Sequence, residues 1–430
     1  MDTIRVRNYR FNFEREPFLR PLQIKGASFS EKWTLVTQIE STRGKKATGV
    51  GGTAVLWSDP AVFFSHSEAG GNLVMSLLAE KAGKLVEGRE FSTPIDMIQS
   101  IFPELHQFGK TITGLANLPK TFTLNALVSL DLALWKLWAL EKGIESFDGL
   151  IPQEWCGVFA HRHEKIIHVP TVSYDYSLKD LIRLVDSGSF FLKIKLGQRG
   201  NPEEMLGKDC QRLSEIYHTL RNKRTPSAPE GKLYYYLDAN GRYPDKSTLR
   251  RLIEHTIRIG MLEQVVLVEE PFPEGVKEDL SDLPVRFAAD ESLHDVESVN
   301  ERINLGYRAM AMKPAGKTLS VSIQMAHAAY QRGIPCFVAD NACVPLLVEW
   351  NKNFAARLSP LPGIPFPILE SNGKQNYKNW EKMMEKHPLK GARWIEPQGG
   401  FYHLEESFYQ TSGGIFLHPG HYQRLIEDPL

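Results

Sequence analysis

The sequence predicts an α/β fold: a modified (β/α)8 TIM-like barrel preceded by an N-terminal α+β capping domain. Three observations carry this. Short apolar runs stop at a lysine or a carboxylate in FFLKIK (Lys195), LYYYLD (Asp238), VVLVEE (Glu269, Glu270), VRFAAD (Asp290) and AMAMK (Lys313). An apolar or β-branched run of about four to six residues that ends in a charge matches a buried parallel strand with a functional tip. Between tips the apolar spacing turns helical, with Leu249, Leu252, Ile253 and Ile257 on one face. Finally, Asp238 to Glu269 spans 31 positions, Glu269 to Asp290 spans 21, and Asp290 to Lys313 spans 23. Each interval fits one strand-plus-helix repeat.

Residues 1–150 are expected to form the cap. Thr34, Val36, Gln38 and Glu40 alternate as in a strand, and Gly49-Val-Gly-Gly52 reads as a turn between extended pieces. From about Asn72 the pattern is helical until Gly143, which closes the last helix. The barrel is expected over 160–375, starting with the strand Ile166–Ser173 and ending near Phe366–Glu370. Lys195 to Asp238 spans 43 positions, too long for one repeat, and the excess is assigned to a surface insertion around 198–231. Residues 376–430, with glycine pairs at Gly399–Gly400 and Gly413–Gly414, are expected to leave the barrel and pack back on the cap.

Lys+Arg and Asp+Glu both number 51, so no global field favours nucleic acid or an anionic membrane. An apolar stretch of about 18 residues is lacking, so a membrane span is not expected. The first residues are charged and alternating, unlike a signal peptide. Four cysteines (Cys156, Cys210, Cys336, Cys343) form no CxxC pair and read as free thiols in a reducing compartment. The expectation is a cytoplasmic enzyme acting on a small molecule, with self-association left open.

On an eight-fold barrel, Lys195 ends strand 2 and Lys313 ends strand 6, so the two lysines face each other across the mouth. Asp238, Glu269 and Asp290 end strands 3, 4 and 5 between them. Three carboxylates brought together repel unless a hard cation neutralises them, and Mg²⁺ fits that role, with Mn²⁺ able to substitute. Such a site can remove a proton α to a substrate carboxylate and stabilise the enediolate, while opposed lysines deliver and accept protons on two faces of one carbon. Lys193 lies on the same inward face as Lys195 and joins the catalytic set as a helper. Asp340 and Asn341 sit at the strand 7 tip and are candidate substrate contacts, as is Glu370 at the last strand. A lone acid at a strand end more often caps a helix than binds metal; the joint pattern favours the metal. His161-Arg-His163 precedes the first barrel strand and reads as a pair of loop histidines.

Lys193-Ile-Lys195, Leu237-Asp-Ala-Asn240, Val268-Glu-Glu-Pro271, Ala289-Asp-Glu-Ser292, Met312-Lys-Pro314 and Ser129-Leu-Asp-Leu-Ala-Leu-Trp135 together resemble the enolase superfamily, in its mandelate racemase/muconate lactonizing enzyme branch. The two-lysine arrangement is similar to the muconate lactonizing enzyme-like subgroup, since PCFVADN lacks the histidine of the mandelate racemase type. The resemblance implies Asp238, Glu269 and Asp290 as metal ligands and Lys195 and Lys313 as acid/base residues. It also implies Glu270 and Glu291 behind the ligands and Asn240 near the substrate. Three functions stay open: an isomerase (racemase, epimerase or cycloisomerase), a lyase (o-succinylbenzoate synthase-like or acid-sugar dehydratase), and a catalytically silent metal-binding barrel.

Overall fold

The computed structural model describes residues 3–427; residues 1–2 and 428–430, at the outer ends of the first and last expected segments, lie outside the described residues. The cap opens with a long antiparallel hairpin, β1 (Ile4–Ile24) and β2 (Ala27–Ser41), continued by β3 (Lys46–Gly52). Helices α1 (Val55–Ser58), α2 (Pro60–Val86), α3 (Pro94–Thr113) and α4 (Lys120–Lys142) follow, with the short β4 (Glu90–Phe91) pairing back on β1. Segment 16–30 is strand apart from the turn at Lys25 and Gly26.

Gly49–Gly52 does not turn, contrary to the sequence reading; it lies inside β3. The glycines serve packing instead. A Cβ on Gly49 would sit 2.1 Å from the Ser129 carbonyl oxygen, and one on Gly51 would sit 2.7 Å from the Ser129 backbone nitrogen. Only bare backbone lets α4 lie this close to the sheet. Helix α4 is long and apolar enough to cross a membrane, but 89% of its most apolar window is buried inside the protein, as in a core helix. It ends at Gly143 with φ 69°, as the sequence predicts.

The barrel strands are β5 (Lys165–Val169), β6 (Thr171–Val172), β7 (Phe191–Lys195), β8 (Tyr234–Asp238), β9 (Val265–Glu269), β10 (Phe287–Ala289), β11 (Ala309–Met312), β12 (Cys336–Val338) and β13 (Ile368–Glu370). Neighbours from β6 through β13 pair in parallel, and β13 pairs in parallel with β5. The single first strand expected over Ile166–Ser173 is therefore two pieces. Pro170 has no N–H to give the ladder, so the strand breaks there: β5 pairs with the last strand and β6 with the next. The chain closes the ring through that proline.

Two boundaries differ from expectation. Most of 198–231 is the helix Pro202–Leu220, capped by Asn201 and Glu204, so only the segment after it is extra. The C-terminal segment divides its contacts. Strand β14 (Phe401–His403) joins the barrel sheet antiparallel to β5, while the helix Gly420–Glu427 packs against the cap strands.

Candidate active site

Register sets the site. Lys195 is the cross-strand partner of Asp238, and Asp238 of Glu269, so three tips stand side by side at one level. Asp290 and Lys313 follow immediately after β10 and β11. The helix N-caps that could have claimed the acids are Asp245 and Asp295, which accept from Thr248 and Ser298 backbone N–H groups. Asp238 and Asp290 are thereby left to the mouth, both fully buried.

The acids are interleaved with lysines. The Lys193 ammonium lies 2.9 Å from Asp238, 3.0 Å from Glu269 and 2.9 Å from Glu370, above the Tyr236 ring. Burial opposes its charge, but Asp238, Glu269 and Glu370 outweigh this and raise its pKa well above the usual lysine value. Lys193, expected in the catalytic set, is thus held as a fixed counter-ion. Lys195 sits 2.5 Å from Asp238 and 3.1 Å from the Asn240 side-chain oxygen. Burial pushes the Asp238 carboxyl up, yet Lys193 and Lys195 hold it down at about 2. Lys313 lies 2.7 Å from Asp290, and this partner, against the effect of burial, raises its pKa.

Glu269 differs from its neighbours. Burial, with Asp290 beside it, pushes its carboxyl up to about 8 despite Lys193. One of its oxygens, Oε2, is buried with no hydrogen-bond partner, and so is Oε2 of Glu291. Oxygens of Glu269, Asp290 and Glu291 all lie within 4.8 Å of one another. Unpaired buried carboxylate oxygens of this kind suit a divalent cation, so the residues fit the expected metal. Among the strand-tip acids, Asp238 stands on the lysine side of this cluster and Glu291 joins it.

Glu270 accepts from the Asp290 backbone N–H at 2.6 Å and the Ser292 hydroxyl at 3.1 Å, and so fixes the Asp290 turn from behind. Its φ of 37° and that of Asn240 at 47° place both in the left-handed region, a cost concentrated at functional sites. Asn240 donates to Glu291 at 3.0 Å. Asp340, expected to touch substrate, has both carboxylate oxygens engaged by the Cys343 and Asn372 N–H groups, so it shapes the turn that presents Asn341. His161 and His163 stack on each other and bond to Ser359 and the Leu358 carbonyl, before the first barrel strand.

The cap supplies what the barrel motifs could not show. Leu22, Ile24 and Phe29 of the β1–β2 hairpin, with Ala54 and Trp57, close a cleft of about 40 Å³ over Lys195 and Lys313. The Trp57 ring lies 4.1 Å from the Lys313 ammonium and 5.5 Å from that of Lys317, and its indole N–H donates to Asp290 at 3.3 Å. Lys25 at the hairpin turn donates to the Trp57 carbonyl at 2.6 Å and pairs with Glu291 at 3.4 Å. Lys317, 3.2 Å from Asp290, was detectable in the sequence: it stands four positions after Lys313 and so one helical turn on. Trp57 and Lys32 carried no such signal.

The same architecture occurs in solved structures. A dipeptide epimerase from Enterococcus faecalis, complexed with Mg and the dipeptide L-Leu-L-Tyr, matches 94% of this chain and 98% of its own, with TM-score 0.63 and 15% identity. A mandelate racemase/muconate lactonizing protein from Herpetosiphon aurantiacus matches 93% and 96%, with TM-score 0.65 and 15% identity. L-talarate/galactarate dehydratase from Salmonella typhimurium, liganded with Mg and L-lyxarohydroxamate, matches 94% and 89%, with TM-score 0.62 and 16% identity. The chain has the enolase-superfamily fold. No family model matches the sequence, and no curated protein matches it either. At these identities the likeness is one of architecture, and the enolase-type cap and barrel account for nearly the whole chain.

Proposed function

We propose that this enolase-fold protein is a Mg²⁺-dependent enzyme that removes a proton α to a carboxylate and passes through an enediolate, acting as an isomerase on a small carboxylate or amino-acid derivative. The carrying observation is that Lys195 and Lys313 line one cleft from strands four apart in the ring of eight. That placement lets one lysine take the proton from one face and the other return it to the opposite face. Asp238, Glu269 and Asp290 would hold the metal, with Glu291 beside them. When bound, Mg²⁺ supplies positive charge to the substrate carboxylate as negative charge develops on it. Solved neighbours in the same fold include epimerases and dehydratases complexed with Mg, and a racemase, which supports this chemistry.

Within this chain, Lys193 favours the ionised forms of Asp238 and Glu370 and holds Glu269 in place, and Asn240 holds the Lys195 ammonium from the other side. The hairpin and Trp57 exclude water from the carbon being deprotonated. A lyase reading has its own support: Asp290 favours a protonated Lys313, which suits a cation stabilising the enediolate and leaves Lys195 as the one base.

The test is exchange in D₂O across a library of carboxylates, read as α-deuterium by mass. For an isomerase, Lys195→Ala abolishes exchange from one stereoisomer and leaves slow exchange from the other, and Lys313→Ala gives the mirror result. Equal loss from both stereoisomers in both variants moves the assignment to the lyase. No exchange from any carboxylate removes the proposal.

A further inference from the structure

A second chamber lies behind the barrel wall, where β5 breaks at Pro170 and the C-terminal segment folds over it. It measures about 290 Å³, against about 40 Å³ for the cleft over Lys195 and Lys313. That is near the lower end of the range of about 300–1,000 Å³ typical of small-molecule sites. Gln375 stands between the two. It lines the chamber, accepts from the Thr171 N–H at 3.1 Å and donates to the Thr171 carbonyl at 3.3 Å, and Thr171 lines the cleft. The chamber is thus one residue layer from the mouth and shares no lining residue with it.

Its walls are mostly apolar and aromatic, with Leu184, Val348, Trp380, Met384, Ile395 and Tyr402. Two polar groups among them lack a partner among the described residues. Trp380 is 8% exposed, and its indole N–H is buried without a hydrogen bond. The opposite edge of that ring is seated on Gly373, where a Cβ would lie 2.5 Å from Cζ3, and its face stacks on Tyr377. His168, between the fully buried Ile167 and Val169 of β5, donates from Nε2 to the Ser371 carbonyl at 2.9 Å. Burial pushes its pKa down to about 4, so the ring is neutral and Nδ1 remains an open acceptor. An unmet donor and acceptor in an apolar chamber are what a ligand with matching groups satisfies. The charges around the chamber, in contrast, are already matched. Lys374 and Glu396 meet at 2.6 Å at the outer rim, and Glu349, buried in the wall, bonds to Lys352 at 2.7 Å. An ionised ligand would have to disturb these pairs, whereas a neutral one leaves both intact.

We propose that this chamber is a second ligand site, for an uncharged hydroxylated aromatic molecule. The ring of the ligand packs among Trp380, Met384 and Tyr402, and its hydroxyl groups accept from the Trp380 N–H and donate to the His168 Nδ1. A hydroxyl suits both, since it donates and accepts from one atom. The site stands apart from the reading of the barrel mouth: it uses none of the acids or lysines there and needs no metal.

The test is equilibrium dialysis of the full-length protein in EDTA against 2-naphthol, 2,7-dihydroxynaphthalene, naphthalene, 2-naphthoate and 2-naphthylmethylammonium. The expected result is that at least one hydroxylated probe binds at a single site about tenfold or more tighter than naphthalene and both charged analogues. Trp380→Phe keeps a ring but loses the N–H, and should weaken that probe about fivefold or more while leaving naphthalene unchanged. Leu184→Trp fills the chamber from a half-buried helix position and should abolish binding of every probe. Four results overturn the site: no saturable binding of either hydroxylated probe, naphthalene or a charged analogue binding as tightly, equal effects of Trp380→Phe on naphthol and naphthalene, or unchanged affinity in Leu184→Trp. If Leu184→Trp does not fold, a diazirine-bearing naphthol photolysed in the wild-type protein decides. Labelling mapped by peptide mass to His168 or to residues 371–402 supports the site, and labelling confined to other segments overturns it.

Discussion

Lys193→Met in the metal-free protein tests whether resident lysines hold the acids of the mouth together. The change strips Asp238, Glu269 and Glu370, all at most 2% exposed, of the cation that touches each at 2.9–3.0 Å. Asp238 keeps Lys195, so the loss falls mainly on Glu269 and Glu370. Removing one partner of a buried ion pair costs about 3–5 kcal/mol. A chain of this length unfolds with an entropy near 0.9 kcal/mol/K, taking about 2.1 cal/mol/K per residue, so the midpoint should fall by about 3–6 °C. The pH dependence has a definite sign. Glu269 already stands at about 8 when folded, against an ordinary 4.5, so the folded state binds its proton first as pH falls. Stability from this group therefore drops as pH rises between those values. Without Lys193 the folded carboxyl moves higher still, and the deficit of the variant should be larger at pH 8 than at pH 5. Urea unfolding in EDTA at the two pH values measures it. A variant within about 1 kcal/mol of wild type at pH 8, or a deficit that grows on acidification, would refute the reasoning.

Three further outcomes are expected. In Mg²⁺ titrations by calorimetry, Glu269→Gln, Asp290→Asn and Asp238→Asn should each weaken binding about tenfold or more; binding lost in Glu291→Gln but kept in Asp238→Asn would make Glu291 the third ligand. Trp57→Phe keeps a ring under Lys313 but loses the N–H to Asp290, and Trp57→Leu loses both, so kcat for α-proton exchange should fall in that order. A cation–π contact worth up to about 2 kcal/mol corresponds to about thirtyfold for the leucine variant, and equal rates in the two would remove the ring from the account. Gly49→Ala forces a Cβ to within 2.1 Å of the Ser129 carbonyl oxygen and should lower stability by about 1–3 kcal/mol or more in urea unfolding; an unchanged midpoint would show that β3 and α4 can separate freely.

The sequence by itself determined the barrel, because a buried parallel strand must be apolar along its length and can carry charge only where it emerges. Lys195, Asp238, Glu269, Asp290 and Lys313 were legible for that reason, and their spacing placed the two lysines on opposite strands. Local chemistry was partly legible: Gly143 ends its helix as read, whereas Gly49–Gly52 gave the signal of a turn although Gly49 and Gly51 answer to a helix about 80 residues later. Tertiary structure decided the charge pairing. Lys193 and Asp238 could be assigned catalytic and metal roles from their positions, but only the folded mouth shows three carboxylates meeting at Lys193 and Glu291 approaching Glu269 and Asp290. Lys32 and Trp57 lay beyond sequence reasoning altogether. They belong to the cap, and their meeting with Asn341 and Lys313 depends on how two separately patterned units dock, a contact between residues more than 250 positions apart that no local periodicity encodes.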